Sequence, residues 1–357
     1  MAYPLTEVGP DAVGGSEQIL VSLDHALTGA GHRSIVIAAE GSKIEGTLLP
    51  SPMAEGLLND TLRDWGRRVH RQLIKDALSR FDVDLIHMHS LDFHTYLPAC
   101  SAPLLATLHL PADWYPKEIF QLKRPRFYMN CVSESQHASC PPSNHLLPHI
   151  GNGVDVARLG CDVPKSDFAL TMGRICPEKG FHFALDVARD TGTRLVLAGE
   201  VFPIESHLHY FKTEIEPRLD DLRTFAGPLS FAKKRITLAE AKCLVIPSIV
   251  AETSSLVAME AMACGTPVIA MRSGALPEIV DHGLTGFVVS NTAEMRQALL
   301  DIGSISPEVC RQVANTRFSS TKMAAKYLQL YESLIERDAK IPVQNCVDRV
   351  WASSGLS

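Results

Sequence analysis

The chain has 357 residues, 46% of them hydrophobic, which predicts a globular protein with two cores rather than one. A net charge of -6 argues against general nucleic-acid binding, because surfaces that neutralise phosphate backbones are rich in Lys and Arg; any phosphate site must be local. No apolar run reaches the length of a membrane span, and Met1 is not followed by a basic segment and a long apolar core.

In chain order, a polar Gly-rich loop passes into an amphipathic helix from about Ser16 and then a strand at 34–39. Gly14 and Gly15 make a flexible turn at that helix start, where the backbone either approaches a ligand closely or only punctuates the chain. A strand at 46–49 precedes a helix at 57–81. Its 62–80 segment carries Arg63, Arg67, Arg68, Arg71, Lys75 and Arg80 with Trp65, a solvated basic face or at most a peripheral contact with acidic lipid. In the strand at 84–90, His87 and His89 share one face; with no third ligand at a recognisable spacing, they read as cleft or core residues rather than a metal site. LLATLH ends at His109, at the carboxyl edge where open α/β sheets bind ligands. YMNCVSESQ closes the first half as a strand and helix start, with Ser133 and Ser135 as caps.

HIGNGVDVARLGCDVPKSD, with Gly151, Gly153 and Pro164, reads as a linker. After it FALTMG is a strand, 177–180 a turn, and Phe181, Ala184, Leu185 and Ala188 one helical face. Arg174 and Lys179 flank the turn, so both heads reach one point beyond the strand end. The Arg fork and the Lys point charge suit a diphosphate, although cations beside a helix start also serve as plain solvated charges. RLVLAGE and RTFAGPLS end two more strands near Glu200 and Gly227. The run CLVIPSIVAETSSLVAMEAMACGTPVIA at 243–270 is a strand, a turn, a helix and a second strand, the helix stopped by Gly265 and Pro267. Thr253, Ser254 and Ser255 open the helix with hydroxyls, leaving its first N–H groups aimed beyond the strand end, where an anion belongs. Glu252 stands before the helix, and Glu260 lies about 9 Å along its axis from Ser254. That spacing suits a diphosphate at the helix tip, a ribose against Glu260 and a neutral, hydroxyl-rich group against Glu252. Taken singly, each acid is equally a dipole partner or a solvated helix residue. RSGALPEIVDHG follows, with Gly274 and Ala275 in a loop and Glu278 opening a short helix. Helices at 294–300 and 321–337 lead to a patternless tail at 337–357, expected to be poorly ordered. The nine cysteines include no CxxC pair and no zinc-type spacing; with Cys131, Cys243 and Cys264 in apolar runs, they read as reduced core residues of a cytoplasmic protein.

Three segments carry a resemblance: Glu252 and Glu260 followed by Ala-Cys-Gly-Thr-Pro-Val, GRICPEKG from Gly173, and GALPEIVDHGLTGFVV from Gly274. Together, in this order, they resemble the nucleotide-sugar site of retaining glycosyltransferases of family 4, a likeness that spans most of the second half. It implies an α/β architecture of the GT-B type, two Rossmann-like doubly wound domains facing an interdomain cleft. The acceptor-side domain would occupy 1–150 and the nucleotide-sugar domain 151–316, entered through the NGVD segment. Residues 317–357 would supply a helix crossing back to the first domain, and the tail. The implied reaction moves a sugar from a nucleoside diphosphate to an acceptor hydroxyl with retained configuration, by front-face displacement, in polysaccharide, envelope glycan or glycoconjugate synthesis.

The family's catalytic positions fall on Glu252, His109, Arg174 and Lys179, and its donor-binding positions on Gly14, Gly15, Gly173, Thr253, Ser254, Ser255, Leu256 and Glu260. No cofactor and no metal are expected, since fixed cations take the metal's place and no DxD site is evident. The implied partners are a nucleoside-diphosphate sugar and a glycan or small-molecule acceptor, not nucleic acid. One departure stands out: the family begins with a full buried strand, of which only Met1, Ala2 and Tyr3 are present, so the natural start is expected a few residues upstream. Competing readings are an epimerase on the same fold, a phosphorylase, whose pyridoxal Lys motif is not found, and a non-catalytic nucleotide-sugar-binding protein.

Overall fold

The computed structural model describes residues 1–10, 12, 14–53 and 59–339. The start of the basic helix at 57 and nearly all of the 337–357 tail therefore lie outside the described residues. The first domain is built from α1 (Gly15–Gly29), β1 (Ile35–Ala39), β2 (Thr47–Ser51), α2 (Asp60–Arg80), β3 (Ile86–Met88), β4 (Leu104–Leu108), β5 (Phe127–Cys131) and α3 (Glu134–Ser139). Its strands pair in parallel as two ladders, β1 with β2 and β3-β4-β5. Met1 and Ala2 lie between them. The Met1 amino group donates to His87 O at 2.8 Å, His89 N donates to Met1 O at 3.1 Å, and Ala2 N donates to Ile37 O at 3.1 Å. The two residues thus hold the innermost position of the sheet without forming a strand. A cavity of about 290 Å³, lined by Leu23, Ile35, Leu85, Ile86 and Tyr331 among others, continues the gap between β1 and β3.

Several cations of α2 are committed locally. Arg63 and Arg67 pair with Asp60 and Asp64 one turn earlier, Arg67 also reaches Asp92 at 3.0 Å, and Arg71 donates to Thr95 O. Self-paired surface charge of this kind reads as a solvated face. Among the described residues no helix is long and apolar enough to cross a membrane.

The second domain begins at a short α4 (Val156–Leu159) and alternates β6 (Ala169–Met172), α5 (Phe181–Asp190), β7 (Leu195–Ala198), α6 (Glu205–Tyr210), β8 (Arg223–Gly227), α7 (Phe231–Glu240), β9 (Cys243–Ile246), α8 (Leu256–Ala263), β10 (Val268–Met271), α9 (Leu276–Ile279) and β11 (Gly286–Val289). The strands form one parallel six-stranded sheet in the order β11-β10-β9-β6-β7-β8, a doubly wound arrangement. Helices cover both faces, so β9 is buried at every position, which is why it reads as a continuous apolar run rather than an alternating one. The winding reverses between β6 and β9, and the carboxyl ends of these two neighbours frame a crevice.

After α10 (Thr292–Asp301) the structure adds α11 (Pro307–Arg317), a helix absent from the sequence reading. Its signal was present: Ser306 caps Val309 N, Pro307 takes the first turn, and Cys310 and Ala314 are fully buried. The chain crosses between domains at 151–154 and again at 318–320, and the two crossings are stitched together. Val154 N donates to Phe318 O and Ser320 N to Val154 O, both at 2.8 Å. From there α12 (Ser320–Ala339) packs back on α1, burying Met323, Ala324 and Tyr327 with Ile19, Leu23 and Leu105. A Cβ at Gly153 would lie 2.7 Å from the Ser319 carbonyl, a backbone obstacle that does not yield. Gly153→Ala is therefore expected to cost about 1–3 kcal/mol in urea unfolding, as overpacking does; a cost under about 0.5 kcal/mol, the scale of ordinary surface changes, would show that the crossings are not packed this closely.

Candidate active site

Gly173 and Arg174 leave β6, and Pro177–Lys179 form a single 3₁₀ turn closed by Gly180, whose φ of 63° lies in the left-handed region. The turn docks on the end of β9, where Ile249 N donates to Glu178 O at 3.0 Å. Docking carries Lys179 Nζ to 2.5 Å from Glu252 Oε1, an oxygen that also accepts from the Ser248 hydroxyl. The Glu252 side chain is only 10% exposed, and its backbone is fixed by Ala275 N donating to Glu252 O at 2.7 Å. Glu260, on α8, is 5% exposed and its Oε1 is 2.5 Å from Lys234 Nζ of α7. In both pairs the ammonium engages Oε1.

The helix start differs from the sequence expectation. Helix α8 begins at Leu256, with Ser255 as the N-cap: its Oγ accepts from Ala258 N at 3.4 Å. Thr253 does not face the free N–H groups. Its hydroxyl donates across the cleft to His109 O at 2.7 Å, because the chain between β9 and α8 runs against the first domain. Among the described residues, the buried atoms Ser254 Oγ and Arg174 Nε have no hydrogen-bond partner. The Arg174 guanidinium stands 5.8 Å from the Phe202 ring centroid.

On the facing side, Leu256 packs against the cluster that α1 and α12 build around Ile19, Leu23 and Tyr327, and its methyl group lies within contact reach of Gly15. Gly14 sits against the carboxylate of Glu17. His109 meets the second domain through its backbone oxygen, while its ring turns toward the first: His109 Nε2 and His89 Nδ1 are 3.0 Å apart. His87 bonds the Tyr331 and Thr107 hydroxyls, each at 2.7 Å. Burial pushes the His109 imidazole down to about 3 and holds His87 and His89 well below the usual range, so all three are neutral at pH 7.

Residues 13–140 match the family model described as Glycosyltransferase Family 4, and residues 163–309 match the model described as Glycosyl transferases group 1. The chain belongs to the group 1 glycosyltransferases of the GT-B fold. It is 31% identical over 157 residues to a D-inositol 3-phosphate glycosyltransferase from Pseudarthrobacter chlorophenolicus, a match covering 42% of this chain and about a third (36%) of that protein. An uncharacterized glycosyltransferase from Methanocaldococcus jannaschii is 28% identical over 73% of this chain and 78% of its own length. A phosphatidyl-myo-inositol mannosyltransferase from Mycolicibacterium smegmatis is 24% identical over 95% of both. Among solved structures, sucrose-phosphate synthase from Thermosynechococcus elongatus superposes with a TM-score of 0.76 at 19% identity, covering 94% of this chain and 97% of that one. Anabaena HepE in complex with UDP-glucose superposes with a TM-score of 0.68 at 17% identity, covering 92% and 98%. At these identities the structural likeness is one of fold.

The glycosyltransferase also places residues at the cleft that sequence reasoning missed. Glu17, in the first turn of α1, is 7% exposed and accepts from Ser16 Oγ at 2.9 Å. Burial raises its carboxyl above the usual range, and hydrogen bonds from its own backbone N–H and from Ser16, with the Arg174 charge behind them, only partly offset this. An acid in the first turn after a Gly-Gly pair was its available signal. Lys234 and Ser248 gave none, since each matters only through its spatial partner. Glu278 lies in the first turn of α9, where its charge suits the helix dipole, and has a second role. It reaches across the cleft and accepts from Ser135 N at 2.7 Å and Glu134 N at 3.1 Å, capping α3 together with Ser133.

Proposed function

We propose that this glycosyltransferase moves a hexosyl group from a nucleoside-diphosphate sugar to an acceptor hydroxyl with retained anomeric configuration and without a metal at the diphosphate. The reading is carried by Arg174 Nε and Ser254 Oγ, buried and unpaired at the ends of adjacent strand connections beside the unsatisfied N–H groups of α8. A buried polar group left unpaired costs about 1–3 kcal/mol, and a diphosphate at the helix tip removes that cost for both. The bond from C1 to the β-phosphate oxygen breaks with its electron pair going to phosphate. The acceptor oxygen attacks the same face, and its proton passes to the departing phosphate. Arg174, Lys179 and the α8 tip balance the charge that develops, while the second oxygens of Glu252 and Glu260 take hydroxyls of the sugar and ribose. The complex of Anabaena HepE with UDP-glucose makes a uridine donor the first to test. The eight described cysteines form no disulfide, which suits the reduced cytoplasm where such donors are made.

A thermal-shift panel of UDP, GDP, ADP and TDP identifies the base by mass action. Labelled sugars of that base should then release free nucleoside diphosphate slowly without acceptor and faster with one. Conversion of the sugar with no acceptor present would instead favour epimerase chemistry, and binding without turnover a sensor. Glu260→Gln is expected to weaken nucleotide binding about 10-fold, the scale of one charged hydrogen bond, whereas Glu252→Gln lowers turnover with little change in nucleotide affinity. Equal, negligible effects from both would remove these assignments.

A further inference from the structure

We infer that Cys176, Glu178 and His207 form a zinc-class metal site behind the phosphate-facing turn. One ligand atom from each lies within 4.8 Å of the others. Cys176 flanks the Pro177–Lys179 turn, Glu178 is in it, and His207 comes from α6, which packs against it. Cys176 is fully buried and His207 is 7% exposed. The Cys176 thiol is engaged by the Glu178 side chain and by Arg174 O at 3.5 Å, whereas the buried atoms His207 Nδ1 and Glu178 Oε2 have no hydrogen-bond partner among the described residues. Native interiors satisfy nearly all buried polar atoms, and two orphans in one three-residue cluster with a thiol indicate an absent common partner. A water molecule would answer the two polar orphans but gain little from the thiol. A thiolate, a carboxylate and a neutral imidazole offer sulfur, oxygen and nitrogen at the softness and number that a tetrahedral divalent ion takes, with one position left open. Thiolate and carboxylate together balance the ion's two charges, and binding releases the Cys176 proton to solvent.

The arrangement has a consequence for the cleft. Arg174 is close enough to both Cys176 and His207 for its charge to bear on them. A bound ion ties the turn that carries Lys179 to α6, beside Arg174. The site is thus a structural clamp on the two cations rather than a participant in the reaction. Cys176 and His207 are far apart in the chain, so no paired spacing announces the site in the sequence.

The test is a titration of chelator-treated full-length protein with Zn²⁺ against a chromophoric competitor, repeated with Co²⁺ to read the thiolate-to-metal charge-transfer band. One equivalent is expected, with affinity falling about 100-fold or more in Cys176→Ala and in His207→Ala, at least what loss of an outer-shell partner costs. The Co²⁺ band should vanish in Cys176→Ala and persist in Cys131→Ala and Cys140→Ala, whose thiols lie 3.4 Å apart elsewhere in the chain. Glu178→Gln, close in shape to the native residue, gives the same reading if either other variant fails to fold. Zinc binding that is absent, or unchanged by all three substitutions, or a Co²⁺ band that survives in Cys176→Ala, overturns the inference without touching the donor site.

Discussion

Lys179→Ala is expected to lose both turnover and stability, and the two losses can be separated. The Glu252 carboxylate is 10% exposed and takes its charge partner from Lys179, which is 28% exposed. Removing one member of a buried pair leaves the other charged in low dielectric, at a cost of about 3–5 kcal/mol. The Ser248 hydroxyl stays as a partner and the Lys head is partly solvated, so the lower end of that range applies. Turnover should fall about 10²–10³-fold if Lys179 also stabilises a departing phosphate, the scale of one preorganised donor at a developing charge. Lys179→Met combined with Glu252→Gln removes both charges and keeps the volume. Urea unfolding of this double variant should return close to wild type while turnover stays low. Recovery of turnover together with stability would mean that the pair is a fold element only, and the catalytic reading of Lys179 would be lost.

Acidification from pH 7.5 to 5 is expected to remove roughly 4 kcal/mol of stability through His70 and His109 alone, each contributing about 2 kcal/mol by proton linkage. His70 is fully buried and its imidazole is lowered to about 4 by desolvation, with the bond to Ala2 O opposing; desolvation lowers His109 to about 3. A folded-state value below the unfolded one means that the unfolded chain takes up protons first. Stability from these rings is therefore fully present above about pH 6.5 and is lost as pH falls toward the folded-state values. His87 and His89 act in the same direction. Glu17 acts against it, because its raised carboxyl makes the folded state the better proton acceptor. The loss compares with the whole stability of an ordinary domain, about 5–15 kcal/mol. Urea midpoints followed through Trp65 and Trp114, both in the first domain, should drop steeply below pH 6.5. A midpoint that stays level from pH 7.5 to 5 would show that these imidazoles are not held neutral.

Much of the second domain is legible without coordinates. Its inner strands β6, β9 and β10 are buried on both faces, so each reads as a short apolar run, and the phosphate-facing groups are local: Arg174 and Lys179 flank one turn, and Glu252 to Leu256 are consecutive. Helix α11 was legible and unread, since Ser306, Pro307 and Glu308 are an ordinary helix start. The first domain was harder, because the inner position of its sheet is held by two residues with no periodicity to detect.

By itself, the sequence determined the alternation of strands and helices, the crevice edge on which the cations and hydroxyls fall, and the family to which they belong. Only the tertiary structure decided what each charged or titratable group faces. Glu252 takes Lys179 from 73 residues away, Glu260 takes Lys234 from 26, and Glu278 caps a helix 143 residues earlier in the other domain. It also gathered the neutral histidines and brought Cys176 and Glu178 to His207. The reason is that periodicity is a local property of the backbone, whereas pairing and proton affinity depend on through-space distance and on water removed by distant parts of the chain.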